Sequence, residues 1–335
     1  MNFRFLNVVS RKGYAVIILL LIVIVLLLLI QVFDDRASTC SNKKYQLINP
    51  QIICNQKQIV EKKNYVAFKT ELVDFIEEQK KKGLISEASI YFRDLKYGPT
   101  FGIDEYAQFS PASLLKLPLM ITYLGLSEDD QSVLETKLYF ENINTGGGLT
   151  QTIVPTQTIE PNMLYTVAEL IEYMITYSDN KSYYVLLEYL NQLSPNTQLL
   201  RDTFIDLGVI DPSNEFEDTL TVKSYAGIFT QLYNSTYFTK KETSERALEY
   251  LSRTDFNRGI VAGVPEGIPV AHKFGERINE TTGIKQLHDC GIVYYPKNPY
   301  LICIMTRGNN MDFLMDTLSI ISKMMYQEFD SRKID

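Results

Sequence analysis

The strongest hydrophobic signal in the chain is an uncharged, apolar run over residues 14–33. About 20 such residues are enough for a helix to cross a bilayer. A cleaved signal peptide is the alternative. The run is long for one, however, and Phe-Asp-Asp-Arg-Ala at residues 33–37 makes a poor small-residue cleavage site. We therefore expect residues 14–33 to form an uncleaved membrane anchor.

The charges on either side of this run predict its orientation. Three basic residues precede it and two acids follow it: Arg4, Arg11 and Lys12, then Asp34 and Asp35. Lys and Arg tend to stay on the cytoplasmic side of a membrane. Residues 1–13 are therefore a predicted cytoplasmic tail, and the chain after the anchor is predicted to be extracytoplasmic.

Residues 34–62 are polar and predict a tether that contains Cys40 and Cys54. The remaining chain, residues 63–335, has the pattern of a folded domain. After Asn64 an apolar stripe with helical spacing runs as far as Gly83, and its members are Val66, Phe68, Leu72, Phe75 and Ile76.

Strand patterns occur near both ends of this domain. Residues 88–95 and 100–103 predict two early strands around a turn at 97–99, and residues 268–274, 287–295 and 300–306 predict three late ones. A final amphipathic helix is predicted over residues 311–329. We expect an α/β protein of the α+β type, in which the terminal helices cover a five-stranded antiparallel sheet.

Between these strands the pattern is almost entirely helical from about residue 127 to 255. Predicted helices cover residues 167–176, 182–193, 198–207, 222–233 and 241–252. The sequence thus predicts an all-α lobe, about residues 113–255, inserted into the sheet lobe. A cleft between two such lobes is where a site is expected.

The composition narrows the possible functions. The 335 residues are 45% hydrophobic and 22% charged, as in ordinary globular proteins, and the net charge of −7 argues against a nucleic-acid partner. Two histidines and four scattered cysteines lack the spacing of metal ligands. We expect no metal and no organic cofactor.

Ser113 and Lys116 form the first candidate for chemistry. Residues i and i+3 share one face of a helix, so the amine can reach the hydroxyl and remove its proton. Ser110 is the predicted N-cap of this helix, with Pro111 at its first position. Ser-x-x-Lys also occurs by chance, as at residues 41–44, and the alternative is an ordinary capped helix.

Two further polar clusters follow. Ser178, Asp179 and Asn180 lie between predicted helices, where Ser178 or Asp179 could simply be an N-cap. Residues 273–275 (Lys-Phe-Gly) lie on the first late strand, where a basic strand end with a closely approached glycine is the plain alternative.

Taken together, the order and spacing of the three motifs resemble those of the penicillin-recognising serine hydrolases, in particular the class A β-lactamases. That family carries Ser-x-x-Lys, Ser-Asp-Asn and Lys-Thr-Gly, which stand here at 113–116, 178–180 and 273–275. The strand and helix order over about residues 64–330 resembles the family as well. The resemblance implies the β-lactamase/transpeptidase-like fold.

The resemblance also implies residue roles. Ser113 would attack a carbonyl to give an acyl-enzyme, with Lys116 accepting or relaying its proton. Ser178 would pass a proton to the departing nitrogen, polarised by Lys273. Asn180 would hold Lys116 and the substrate amide.

The remaining implied roles concern the charges of the substrate. The N–H groups of Ser113 and Glu276, the latter just after Gly275, would form the oxyanion hole. Lys273 would also attract a substrate carboxylate.

The chain departs from the family pattern in two places. Phe274 stands where the family has a hydroxyl that binds the substrate carboxylate, so carboxylate recognition is weakened or moved to another residue. The loop after Leu207, which would carry the glutamate that activates the deacylating water, is short. Glu217 is the candidate for that base, with a solvated loop acid as the alternative.

The histidines and cysteines yield structural expectations. His272 and His288 are predicted on neighbouring strands, where structural or exposed imidazoles are more common than catalytic ones. Cys290 and Cys303 are predicted on the two arms of the last hairpin with the same facing, within a register shift of being opposite. Outside the cytoplasm a disulfide there is plausible, as is one between the two tether cysteines. Free buried thiols are the alternative.

The resemblance implies a β-lactamase-type serine hydrolase anchored in a bacterial cell membrane by residues 14–33. Its substrate would be a β-lactam or a cell-wall peptide. Two alternatives stay open: a D,D-peptidase or esterase acting on cell-wall peptides, and a cell-wall binding or sensing protein with little turnover.

Overall fold

The structure, a computed structural model, describes residues 17–26, 45–52, 65–141, 151–194, 198–209 and 219–332. The chain divides into two units. The first, residues 1–46 and 50–56, has a helical segment at 17–26 and a 3₁₀ turn, Pro50–Ile52, among its described residues. The second, residues 47–49 and 57–335, contains every strand and helix labelled below.

Nothing in the described ranges forms a helix with the length and apolarity that membrane spanning requires. The predicted anchor extends on both sides beyond the described segment 17–26, so the anchor stays a prediction. Cys40, Cys54 and Glu217 also lie outside the described residues.

Seven strands and nine α-helices are described in the second unit. The strands are β1 (Glu87–Asp94), β2 (Thr100–Ile103), β3 (Lys137–Phe140), β4 (Met163–Thr166), β5 (Val270–Ile278), β6 (Lys285–Val293) and β7 (Tyr300–Gly308). The helices are α1 (Val66–Lys81), α2 (Lys116–Asp129), α3 (Ser132–Glu135), α4 (Val167–Thr176), α5 (Asn180–Leu193), α6 (Gln198–Asp206), α7 (Val222–Tyr233), α8 (Lys241–Ser252) and α9 (Met311–Ser331).

The sheet prediction is confirmed. Five antiparallel strands lie in the order β2-β1-β7-β6-β5, which leaves β5 at one edge. The terminal helices α1 and α9 cover one face, because their apolar residues recur every three or four positions and pack on the sheet. This core includes Phe68, Leu72 and Ile76 of α1, and Leu314, Leu318, Ile321 and Met325 of α9.

The inserted lobe is not all helical. β3 and β4 pair there as a two-stranded antiparallel sheet, with Lys137 opposite Thr166. The four-residue run Lys-Leu-Tyr-Phe of β3 is too short to show a period by itself, and its partner lies more than 20 residues away. The strand pairing was therefore missed in a region predicted to be helical.

Residues 47–49 bind to the helical lobe through buried polar contacts. Glu245 of α8 accepts the backbone N–H groups of Leu47 and Ile48, each at 3.0 Å. The N–H of Asn49 donates to the carbonyl of Tyr233 at 2.7 Å. A buried carboxylate is thereby satisfied by backbone donors, which fixes this segment to the folded body.

We expect Glu245→Ala to lower the free energy of unfolding by about 1–3 kcal/mol, because it leaves buried backbone donors without an acceptor. Urea unfolding followed by circular dichroism measures the change. Glu249→Ala removes an exposed acid from the same helix and is expected to stay within about 0.5 kcal/mol of the parent. Equal losses in both variants would contradict this role for Glu245.

Cys290 and Cys303 lie directly opposite each other on β6 and β7, and a disulfide joins them. Both residues are fully buried. In protein purified without a reductant we expect neither cysteine to react with iodoacetamide after denaturation, and both to react once the disulfide is reduced. Peptide mass spectrometry distinguishes the two cases, and labelling of both without reduction would show free thiols.

Candidate active site

Ser113 lies in a tight turn rather than in a capped α-helix. A 3₁₀ helix, Ala112–Leu115, comes first and α2 begins at Lys116. The predicted N-cap role of Ser110 is wrong, because no side chain caps either helix and the Ser110 hydroxyl instead accepts from Arg277 at 3.0 Å. Ala112 has a positive φ of 49°, an uncommon conformation for a residue with a Cβ.

The sheet holds this turn in place. The N–H of Ser110 donates to Gln286 at 3.0 Å, and Nε2 of His288 lies 3.0 Å from the Ser110 carbonyl. Burial lowers the pKa of His288 to about 4, so the neutral ring donates through Nε2. A Cβ at Gly275 would lie 3.1 Å from the backbone nitrogen of Leu114, so the turn approaches β5 closely at this glycine and a larger residue would displace the turn.

Lys116 is buried, and its amine meets only uncharged partners among the described residues. Nζ lies 3.1 Å from Ser113 Oγ, 2.7 Å from Asn180 Oδ1 and 3.1 Å from Ser178 Oγ, and it also contacts the Ser178 carbonyl. Burial lowers the pKa of Lys116 to about 7, against the opposing effect of Asp179 and Glu276. Near neutral pH much of this amine is uncharged and able to take a proton from Ser113.

The Ser178 hydroxyl lies within hydrogen-bond distance of the amines of both Lys116 and Lys273. Asp179, not Ser178, caps α5, since its carboxylate accepts the N–H groups of Lys181 and Ser182. Ser178 is fully buried with φ of 57°, and its hydroxyl lies 2.9 Å from Lys273 Nζ as well as 3.1 Å from Lys116 Nζ. Its position fits a proton relay between the two amines.

Lys273 and Phe274 both point away from solvent. Lys273 is 0% exposed, and its Nζ donates to Ser178 Oγ and, at 3.0 Å, to the Phe274 carbonyl. Burial, and then the nearby Lys116, hold the pKa of Lys273 well below its ordinary value. The Phe274 ring stacks on Phe256 at 4.3 Å between centroids, inside the core that covers the sheet.

An open cleft of 620 Å³ adjoins these groups. Ser113, Lys116 and Asn180 line it, together with Glu276 and Arg277 of β5 and Tyr183 of α5. The structure thus brings together the predicted residues Ser113, Lys116, Ser178, Asn180 and Lys273, as well as Gly275 and Glu276. Of these, Ser178, Lys273 and Gly275 do not line the cleft itself but lie behind its surface.

The two histidines lie outside the lining of the cleft. Nδ1 of His272 lies 2.8 Å from Asp289, whose other oxygen accepts the N–H of Ile260 at 2.8 Å. His288 acts on the turn at Ser110, as described above. No group of three or more His, Cys, Asp or Glu residues in the described ranges is arranged to hold a metal ion.

Sequence reasoning did not identify Tyr183, Arg277 or Gln286. Tyr183 follows Asn180 by three residues on α5, so helical spacing alone puts it on the same face. Arg277 and Gln286 carried no comparable signal, because their contacts with Ser110 join segments more than 160 residues apart.

The comparisons agree with this architecture. The model of the β-lactamase enzyme family matches residues 68–329. No protein with a curated description matches the chain.

Solved structures with the same fold include a mutant of PBP-A in an acyl-enzyme complex with penicillin G. It is 22% identical, with a TM-score of 0.62, over 78% of this chain and 97% of that one. The extended-spectrum β-lactamase TLA-3 has 17% identity and a TM-score of 0.65, over 78% and 98%. A β-lactamase from Sphaerobacter thermophilus has 17% identity and a TM-score of 0.65, over 81% and 100%. The chain belongs to the β-lactamase enzyme family.

Proposed function

We propose that the protein is a serine hydrolase that forms an acyl-enzyme on Ser113 with β-lactams or related amides and then hydrolyses it. The observation that carries this proposal is the Lys116 amine, buried 3.1 Å from Ser113 Oγ with a pKa of about 7. A serine hydroxyl is a weak nucleophile by itself, and an adjacent uncharged amine activates it by accepting its proton.

Acylation uses the groups of the site in turn. Ser113 Oγ bonds to the carbonyl carbon while its proton passes to Lys116. The backbone N–H groups of Ser113 and Glu276 donate hydrogen bonds to the negatively charged oxygen of the tetrahedral intermediate. The carbon–nitrogen bond then breaks as the leaving nitrogen takes a proton from Ser178 Oγ. Ser178 regains a proton from Lys116, which thereby passes on the proton that it took from Ser113.

Asn180 and Lys273 support these steps. The Asn180 amide oxygen fixes the Lys116 amine at 2.7 Å and leaves the amide N–H₂ for the substrate. The Lys273 amine, at 2.9 Å from Ser178 Oγ, stabilises charge on that oxygen during the proton relay.

Deacylation requires water and a second base. The sequence offers Glu217 as the candidate for this base, but the loop that carries it is short, so we propose that Glu217 does not supply this assistance and that hydrolysis is slow. PBP-A, a mutant of which is described as a penicillin G acyl-enzyme complex, supports a stable adduct in this fold. A D,D-peptidase or esterase acting on cell-wall peptides is the second candidate, and the short deacylation loop favours it.

We further propose that residues 14–33 anchor the enzyme in a bacterial cell membrane, with residues 1–13 in the cytoplasm and the catalytic domain outside. The basic residues before the apolar run support this orientation. The disulfide between Cys290 and Cys303 also supports an oxidising compartment.

Penicillin G is expected to add its mass to Ser113, and the adduct is expected to persist for longer than one turnover of an efficient β-lactamase. General-base assistance contributes about 10²–10⁴ in rate, so a missing base leaves a trappable intermediate. Time-resolved intact mass spectrometry measures both steps.

Ser113→Ala should abolish labelling. A sharply longer adduct lifetime in Glu217→Gln, or rapid penicillin turnover by the parent, would contradict slow deacylation and indicate an ordinary β-lactamase.

The acylation rate should depend on pH through Lys116. Below its pKa of about 7 the amine is protonated and cannot accept the Ser113 proton. The second-order acylation rate is therefore expected to fall about tenfold per pH unit below 7 and to level off above it. Stopped-flow measurements with a chromogenic cephalosporin from pH 5 to 9 test this.

Lys116→Ala should slow acylation by about 10²–10⁴ and remove the pH dependence. Lys223→Ala, which removes an exposed lysine of α7, is the matched control and should keep the parent profile. A parent rate that is flat across pH 7 would exclude Lys116 as the base.

A further inference from the structure

Arg277 is the one exposed cation among the described residues that line the cleft. Lys116 lines the cleft as well, but it is buried and its amine is surrounded by oxygen partners. The Arg277 guanidinium donates to Ser110 Oγ at 3.0 Å, and no acid in the described ranges forms an ion pair with it. Since a guanidinium has five N–H donors, most of them remain for a ligand in the cleft.

The hydrogen bond to Ser110 fixes the position of this charge. Ser110 begins the turn that carries the nucleophile, Ser113. Gln286 accepts the N–H of Ser110 and His288 donates to its carbonyl, so this residue is held on both backbone groups. A guanidinium bound to such a residue is oriented before a substrate arrives, which lowers the cost of ordering a long side chain.

The contacts of β5 show which part of a substrate lies near Arg277. Lys273, Gly275 and Arg277 face the nucleophile, and four residues along a strand span about 13 Å. At one end, Lys273 contacts Ser178, which protonates the leaving nitrogen in the mechanism proposed above. Arg277 is at the other end, just beyond the oxyanion-hole N–H of Glu276. Because the leaving nitrogen and the acyl side chain lie on opposite sides of the reacting carbonyl, Arg277 lies on the acyl side.

The two acids that line the cleft leave this charge uncompensated. Glu276 faces the other side of β5, where Thr152 and Ile153 donate to its carboxylate. Glu280 is exposed beyond the end of the strand, and within the described part of the chain no ion pair joins it to Arg277. The charge on the nucleophile's face of β5 is therefore positive.

We propose that the cleft contains a carboxylate subsite for the acyl part of the substrate, with Arg277 as the specificity-determining residue. A planar guanidinium matches a carboxylate through two parallel N–H···O bonds. The enzyme prefers acyl donors that carry an acidic side chain close to the reacting carbonyl. The inference rests on the proposed acyl transfer at Ser113 and specifies its substrate class.

Two penicillins that differ by a single carboxylate test this subsite. Carbenicillin is penicillin G with a carboxylate added to the acyl side chain. Second-order rates of acylation of the full chain at Ser113 are measured by intact mass spectrometry, and each is divided by the alkaline hydrolysis rate of the compound. We expect carbenicillin to react about fivefold faster at low ionic strength, with an advantage that falls as salt is added, as is typical of a solvent-exposed ion pair.

Variants assign the preference to its residue. Arg277→Gln should bring the two rates within about twofold of each other, whereas Arg277→Lys keeps the charge and should keep carbenicillin the faster compound. Arg246→Gln removes an exposed arginine of α8 that lies outside the cleft lining, so it changes the net charge equally and should keep the parent ratio. Because Arg277 also binds Ser110, the readout is the ratio of two rates within one variant.

The methyl ester of penicillin G tests the other end of the substrate, because it lacks only the charge of the leaving-group carboxylate. Arg277→Gln should leave the ratio of penicillin G to its ester unchanged. A change in this ratio would place Arg277 at the leaving-group carboxylate and overturn its assignment to the acyl side.

The remaining outcomes separate this inference from the proposed function. If the parent reacts no faster with carbenicillin than with penicillin G, or if the ratio is unchanged in Arg277→Gln, the acyl-side subsite is wrong while acyl transfer stands. If none of the three compounds labels Ser113, the proposed function itself fails.

Discussion

A lysine amine buried among uncharged oxygens is the constraint on which the site depends. Lys116 meets Ser113, Ser178 and Asn180 but no carboxylate within hydrogen-bond distance in the described ranges. Since desolvation disfavours the charged form, burial here outweighs the attraction of the more distant acids and leaves a pKa of about 7. A direct ion pair would hold the amine in its charged form and remove its use as a base.

The two segments that surround the Lys116 amine each contain a residue with an uncommon backbone conformation. Ala112 and Ser178 each have a positive φ although neither is glycine, and such residues cost of order 1–3 kcal/mol. The cost is offset by surrounding contacts. On one side Asp179 caps α5, and on the other Gln286 and His288 hold both backbone groups of Ser110. The sheet and the helical lobe thus fix the nucleophile and its base from opposite directions.

Features set by local periodicity could be predicted from the sequence, whereas features set by distant contacts could not. The five-stranded sheet and the terminal helices follow from alternation and from helical spacing, and the facing of Cys290 and Cys303 follows from strand register. The pairing of β3 with β4 was missed because their connection is long. The capping role assigned to Ser110 was wrong because Arg277, far along the chain, binds its hydroxyl. The third motif identified Lys273 as a candidate site residue. The burial of Lys273 and the orientation of Phe274 could not be predicted, because they depend on packing against Ser178 and Phe256.

The edge position of β5 explains how one strand serves both the core and the cleft. Successive residues of a strand face opposite sides. Lys273, Gly275 and Arg277 face the nucleophile and its turn, as their contacts with Ser178, Leu114 and Ser110 show. Phe274 and Glu276 face the other side, toward Phe256 and Ile153. Replacing a hydroxyl by phenylalanine at 274 therefore extends the apolar core without disturbing the relay on the opposite face.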